Sequence, residues 1–269
     1  FGPDVVQVLK TPVNRPSIRR SLSVIQTPQR PAIKTSESNG RYTIETSGLQ
    51  LVVDIASGTI TFNNSQGQRL LAERPQTTLV SMNDYTLDTT FQVRQAFLLD
   101  KDEAIYGLGQ HQNGKLNLRN QRIRLRQENM KICIPYFLSS KGYALYWDNY
   151  SPTLFVNNAR ETFFDSEVGE CVDYYVMTGP DLQAVAARMR SLTGKAPLPP
   201  LWSLGFFQSR ERYKTQEEPV EVVKRYRELN IPLDVVIQDW QYWGNDSNWN
   251  AMRFDNPAFN QPQAMIDQV

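Results

Sequence analysis

The sequence predicts a multidomain chain: an N-terminal antiparallel β-sandwich followed by the first βαβ unit of an incomplete parallel α/β barrel. Three observations predict it. From Tyr42 to Met177, short apolar runs alternate with turn residues and show almost no helical period. Three prolines in the six residues Lys195–Pro200 make a stiff, extended connector. Beyond that connector the pattern changes to apolar run, polar loop, amphipathic helix, tight turn and a second apolar run. The expected division is residues 1–179 for the sandwich, 180–200 for a helix and proline-rich linker, and 201–269 for the start of the barrel.

Residues 1–40 carry one short apolar run (Val5, Val6, Val8, Leu9), then Pro12, Pro16, Pro28 and Pro31 among basic residues. This reads as one strand followed by extended chain along a sheet edge. Leu49, Leu51, Val53 and Ile55 alternate with Gln50, Val52 and Asp54. Ala56-Ser57-Gly58 turns the chain, Thr59–Phe62 returns, and Asn64-Ser65-Gln66-Gly67 turns it again into Gln68–Leu71, a meander. Further strands are predicted at Thr90–Leu98, Arg122–Arg126, Ile132–Ser139, Tyr143–Trp147, Thr153–Val156 and Cys171–Met177. Leu182, Val185, Met189 and Leu192 then recur at helical spacing between Pro180 and Gly194.

Behind the linker, Leu204–Phe207 is a continuous apolar run suited to a strand buried on both faces. Thr215 and Glu218 have the spacing of a capping box. Pro219 falls in the first helical turn, where a missing N–H costs little. Val222, Val223, Tyr226 and Leu229 form one helical face, and Asn230-Ile231-Pro232 ends it. Asp234–Gln238 is the second strand, and a further helix is expected over Gln261–Val269. Two parallel strands need cover on both faces, so further chain or another polypeptide is expected to complete this domain.

Of the 269 residues, 40% are hydrophobic and 21% charged, which is ordinary for a globular protein. A formal net charge of +1 gives no basic field to draw nucleic acid. No apolar run approaches the roughly 20 residues of a membrane helix, so no membrane span is expected. Phe1 in place of an initiator Met fits a cleaved export signal or a trimmed chain, and a periplasmic or secreted location is favoured over a cytoplasmic one. Cys133 and Cys171 lie in strand-like runs and read as buried free thiols rather than a disulfide. His111 is the only histidine, so a His-based metal cluster or a Ser-His-Asp triad has little to build on, and a hydrogen-bonding loop residue is expected. No metal and no cofactor is expected. Arg119, Arg122, Arg124 and Arg126 alternate like a solvated strand face. Aromatic residues reach 11%. Sugar C–H faces pack on such rings, although core packing accounts for most of them.

In parallel α/β barrels the site forms from loops at the C-terminal ends of the strands. The first such loop is Gln208-Ser209-Arg210-Glu211-Arg212-Tyr213, and the second is Asp239-Trp240-Gln241-Tyr242-Trp243-Gly244. Asp239 can accept a bidentate pair of hydrogen bonds from sugar hydroxyls. Trp240 and Trp243 can offer flat faces. Arg210 or Arg212 can donate to hydroxyl and ring oxygens, or pair with a carboxylate from elsewhere in the barrel.

These stretches also carry a family resemblance. Trp202-Ser203-Leu204-Gly205-Phe206-Phe207-Gln208-Ser209-Arg210-Glu211-Arg212-Tyr213 resembles the first barrel strand and loop of glycoside hydrolase family 31. Ile231–Gly244 resembles its second, and Trp249–Asp255 is also of that kind. Ile105–Gln112 and Tyr143–Ser151 are similar to motifs of the family's sandwich domain. Within the family the likeness is greatest to bacterial α-xylosidases, which trim xylose from xyloglucan oligosaccharides. The resemblance implies a (β/α)8 TIM barrel, an oligosaccharide substrate, and a retaining mechanism with two carboxyl groups about 5–5.5 Å apart. It places the nucleophile and the acid/base on later strands, beyond Val269, so this chain alone is expected to be inactive. It makes Asp239 a sugar-binding carboxylate and Trp240 a pocket wall, and puts Arg210 and Arg212 in a loop lining the same pocket. It leaves open an α-glucosidase or an α-glucosyltransferase, and a non-catalytic carbohydrate-binding or scaffold module remains the alternative if the chain is complete. Val172–Val176 runs straight into Met177-Thr178-Gly179-Pro180, which leaves no room for the lectin-like insert of some α-xylosidases.

Overall fold

A computed structural model of the chain describes residues 1–13, 20–75, 77–83 and 89–269. Pro16 of the expected edge segment lies outside them. The chain divides into two units, Phe1–Ala196 and Pro197–Val269.

The first unit is the sandwich. Its strands in chain order are β1 (Val5–Lys10), β2 (Lys34–Ser38), β3 (Arg41–Glu45), β4 (Leu49–Asp54), β5 (Ile60–Asn64), β6 (Arg69–Glu73), β7 (Thr78–Asn83), β8 (Thr89–Leu98), β9 (Ile105–Gln110), β10 (Arg122–Leu125), β11 (Ile132–Ser139), β12 (Tyr143–Trp147), β13 (Thr153–Asn157), β14 (Thr162–Gly169) and β15 (Val172–Thr178). One sheet runs β1-β15-β12-β11-β9. The other runs β10-β13-β14-β8-β6-β5-β4-β3-β2, with β7 also on β8. The expected meander is the run β3 to β6, whose successive strands pair antiparallel.

Alternation drives strands such as β4 and β10 together, because it places their apolar side chains on one face, whereas β12 and β15 are buried along their whole length. Between the sheets the ring of Phe164 stacks on Trp147 (5.4 Å between centroids, 7° between planes) and on Phe137 (6.3 Å, 5°). Most aromatic residues of this unit are thus core. Several buried polar groups of the core are paired, which offsets the cost of burying them. Trp147 Nε1 donates to Ser166 Oγ at 2.9 Å. The Glu73 carboxylate accepts from Tyr174 Oη at 2.6 Å and from the Ile60 N–H at 2.8 Å, and lies 2.7 Å from Lys10 Nζ. Tyr143 Oη donates to Glu103.

Helix α1 (Leu182–Thr193) closes this unit. Asp181 Oδ1 accepts from the Ala184 N–H at 2.7 Å, a side-chain N-cap, and Gly194 at φ 93° ends the helix. Val185 and Leu192 pack on Tyr146, Tyr175 and Met177 of the five-stranded sheet. Cys133 and Cys171 are not joined in a disulfide, and only Cys171 is buried, whereas Cys133, near the start of β11, is half-exposed. His111 Nε2 contacts the Leu108 carbonyl at 2.8 Å, as a loop residue. Arg122, Arg124 and Arg126 are exposed, and Arg124 pairs with Glu167 at 2.7 Å. Arg119 departs from the expected pattern: it precedes β10 and is half-buried.

The second unit holds the βαβ motif. After a single 3-10 turn over Leu201–Leu204 come β16 (Phe207–Arg210), α2 (Glu217–Glu228) and β17 (Val235–Gln238), with β16 and β17 parallel. The first strand therefore starts three residues later than expected. Leu204 lies in the 3-10 turn, 74% exposed, because the chain from Pro200 hydrogen-bonds as a turn, with Ser203 Oγ and the Ser203 N–H both donating to the Pro200 carbonyl. Phe206 and Phe207 are exposed rather than buried on both faces. The capping box also fails. The N-cap is Gln216, without a side-chain bond. Thr215 instead hydrogen-bonds the Glu217 carboxyl and holds its pKa below the usual value, while Glu218 accepts from the Lys214 N–H at 2.9 Å. The buried face of α2 is Pro219, Val220 and Val223, and Leu229 is exposed, because the packing partners are Phe259 and Met265 from the last segment. The final helix, α3, is short (Pro262–Ile266). Among the described residues no helix is long and apolar enough to cross a membrane.

Candidate active site

The register of β16 on β17 decides which way each site residue faces. Gln208 lies beside Val236 and Arg210 beside Gln238, so these four share a face. It is the helix side: Tyr226 Oη of α2 donates to Gln208 Oε1 at 2.6 Å, and Arg210 Nη1 lies 3.8 Å from Glu218 Oε2. Phe207, Ser209, Val235 and Ile237 share the opposite face. Alternation carries Asp239, one residue past β17, to that helix-free side. Its side chain is exposed there, and among the described residues no hydrogen bond or ion pair engages the carboxylate.

Trp240 follows, half-buried, with the Arg212 guanidinium 5.8 Å from its ring centroid, within cation–π reach. The structure thus brings Arg212 to Trp240, with Asp239 the preceding residue in the chain. It takes Arg210 to the helix side, beside Glu218.

An aromatic chain anchors the second loop. Trp240 meets Trp249 edge-on at 5.6 Å, Trp249 meets Trp243 at 5.7 Å, and Trp243 meets Tyr242 at 5.1 Å. Tyr242 meets Phe254 at 4.9 Å, and Phe254 meets Phe259, which is 1% exposed in the core of the unit. Trp243 is only 6% exposed, so it supports the loop and offers no open face. Trp249, 60% exposed, takes the place expected of it. The sequence signal for Trp249 was the recurrence of tryptophan, but only the fold shows which ring is open. Gln241 at φ 62° turns the loop, and Asn256 pins it by donating its side-chain amide to the Gln241 carbonyl at 2.9 Å.

An exposed carboxylate can accept hydroxyl hydrogens, an aromatic ring can pack a C–H face, and a guanidinium can donate to oxygen. That set suits a neutral polyhydroxylated ligand. Among the described residues, no cluster of three or more His, Cys, Asp or Glu side chains could hold a metal ion.

Residues 1–155 match the glycosyl hydrolase 31 N-terminal galactose mutarotase-like domain, more than half of the chain. The chain belongs to glycoside hydrolase family 31. Residues 196–269 match the family 31 TIM-barrel domain, so the βαβ unit is the start of that barrel. An α-xylosidase of Saccharolobus solfataricus is 37% identical over 99% of this chain and 37% of its own length. α-Glucosidase 2 of Bacillus thermoamyloliquefaciens is 25% identical over 99% of this chain and 34% of its own. The crystal structure of a family 31 α-xylosidase from a soil metagenome, complexed with xylose, superposes with a TM-score of 0.85 at 26% identity, covering 100% of this chain and 42% of that one. The chain spans about a third of the length of the curated family 31 relatives that it matches end to end.

Proposed function

We propose that the full-length protein is a retaining α-glycosidase that releases terminal α-linked xylose from xyloglucan-type oligosaccharides. The observation that carries this reading is the 37% identity to an α-xylosidase along 99% of the chain. Asp239 accepts hydrogen bonds from hydroxyls of the terminal sugar, Trp240 forms a wall of its pocket, and Arg212 braces that wall and donates to oxygen. Arg210 acts at the rim through Glu218. The nucleophile and the acid/base are supplied by chain beyond Val269, and these residues alone give no turnover.

The α-glucosidase relative, 25% identical over 99% of the chain, favours a second reading in which the sugar is glucose, with transfer in place of hydrolysis as a variant. The two sugars differ by a hydroxymethyl group, which a pocket built for xylose excludes by contact. The test is turnover of nitrophenyl α-xyloside and nitrophenyl α-glucoside by the full-length protein. A kcat/KM higher for the xyloside supports the first reading, and a preference for the glucoside replaces it with the second. Cleavage of neither substrate would leave a carbohydrate-binding or scaffold role.

A further inference from the structure

Gln238, the last residue of β17, lies on the helix side of the strand pair and outside the face that carries Asp239. Its side-chain Nε2 donates to two backbone carbonyls, Tyr213 at 3.2 Å and Trp240 at 3.4 Å. Tyr213 belongs to the loop after β16, and Trp240 to the loop after β17. Both neighbours are acceptors, so the NH2 end must face them, which settles the orientation of the amide. Tyr213 is 1% exposed, so this bond ties the second loop to a buried residue. Arg212 precedes Tyr213, and its guanidinium lies over Trp240. Asp239 lies between Gln238 and Trp240 in the chain, inside the short turn that the second of these bonds closes.

We infer that Gln238 is a positioning residue, whose side-chain amide clamps the two strand-end loops and so holds Asp239 and Trp240 in place for the sugar. It touches no substrate and acts through its neighbours. For its kinetic consequences the inference rests on the sugar-binding role proposed for Asp239. A misplacement of about 1 Å can cost on the order of 100-fold in rate. A loosened loop weakens contacts to ground state and transition state alike, so the loss appears more in KM than in kcat.

The test uses the full-length enzyme. Gln238→Met keeps the length and removes the donor. We expect kcat/KM for the α-xyloside to fall about 10- to 100-fold, with the larger part in KM. In an Asp239→Ala background the same change should cost little more, because its effect runs through Asp239. Equal cost in both backgrounds overturns the inference. Gln238→Glu keeps the shape, and its carboxylate cannot donate at neutral pH. Its activity relative to the wild type should rise as the pH falls and the carboxyl regains a proton to donate; a constant ratio counts against the clamp. Amide hydrogen exchange gives a reading independent of substrate. Exchange over residues 239–244 should quicken in Gln238→Met while β16 and α2 keep their protection. Unchanged exchange overturns the clamp even in an active enzyme. If the wild type cleaves neither glycoside, the proposed function fails and the exchange still decides the clamp.

Discussion

Replacing Asp239 by alanine in the full-length enzyme removes a carboxylate that no partner in its own unit engages. The fold should survive and the melting temperature should barely move, while kcat/KM for the α-xyloside falls by roughly 100-fold or more, the cost of about 3 kcal/mol of lost charge-assisted hydrogen bonds. Near-normal turnover removes Asp239 from the site. Glu73 is the opposite case. It is buried with Tyr174, Lys10 and the Ile60 N–H on its oxygens. Glu73→Ala removes the charge partner of Lys10, which keeps only the neutral Thr77 and Gln95 oxygens, and the acceptor of the Tyr174 phenol, and should destabilise the sandwich by about 3 kcal/mol in a denaturant titration. The position of Asp239 at a strand end was legible in the sequence, because a polar, aromatic run directly follows an apolar strand. The facing of Arg210 was not, since it depends on where α2 docks on β16. Which of Trp243 and Trp249 stays open was not legible either: Trp243 packs against Tyr242 and Trp249 and is 6% exposed, whereas Trp249 remains 60% exposed.

Among the elements, β9 shows why some strands escape a pattern reading. Ile105–Gln110 contains Gly107 and Gly109, which read as loop residues. In the fold both glycines lie against β11, and a Cβ on Gly109 would run into the Ile132 carbonyl at a φ of +94°. Gly109→Ala should therefore destabilise the sandwich by roughly 1–3 kcal/mol, read as a lower denaturant midpoint. Near-wild-type stability would show that β11 yields at its bulge between Cys133 and Phe137. β2, Lys34–Ser38, has no apolar residue to alternate and is exposed along its length, as an edge strand tolerates. Strands with clean alternation, such as β4, were legible for the converse reason. The first barrel strand was displaced by three residues because a turn beginning at Pro200 uses the apolar run that composition alone assigns to the strand.

For the molecule as a whole, the order of architectures was legible: the loss of strand period near Pro180 and the prolines of Lys195–Pro200 mark where one grammar gives way to another. The pairing of sheets was not, because it rests on contacts between distant strands. Those contacts give the sandwich an alkaline limit. Tyr143 and Tyr174 are fully buried, and their phenols are held well above the usual 10.0, first by desolvation and then by Glu103 and Glu73. A raised folded-state pKa gives stability that is complete below the unfolded value and is lost as pH climbs past it. Stability should therefore decline from about pH 10 upward. The absorbance of these two phenolates should appear together with unfolding, and their earlier titration in the folded protein would contradict the burial.

Strand β1 lies beside β15, and Gln7 bonds Asp173 across 166 residues of chain. A ribosome adding about 5–20 residues per second therefore takes roughly 8–33 s to deliver the partner of the first strand. Throughout that interval Val5 and Val8 wait outside any ladder, an apolar segment open to chaperones and to neighbouring nascent chains. A chain that stops before Val172 leaves β1 without the strand it pairs with.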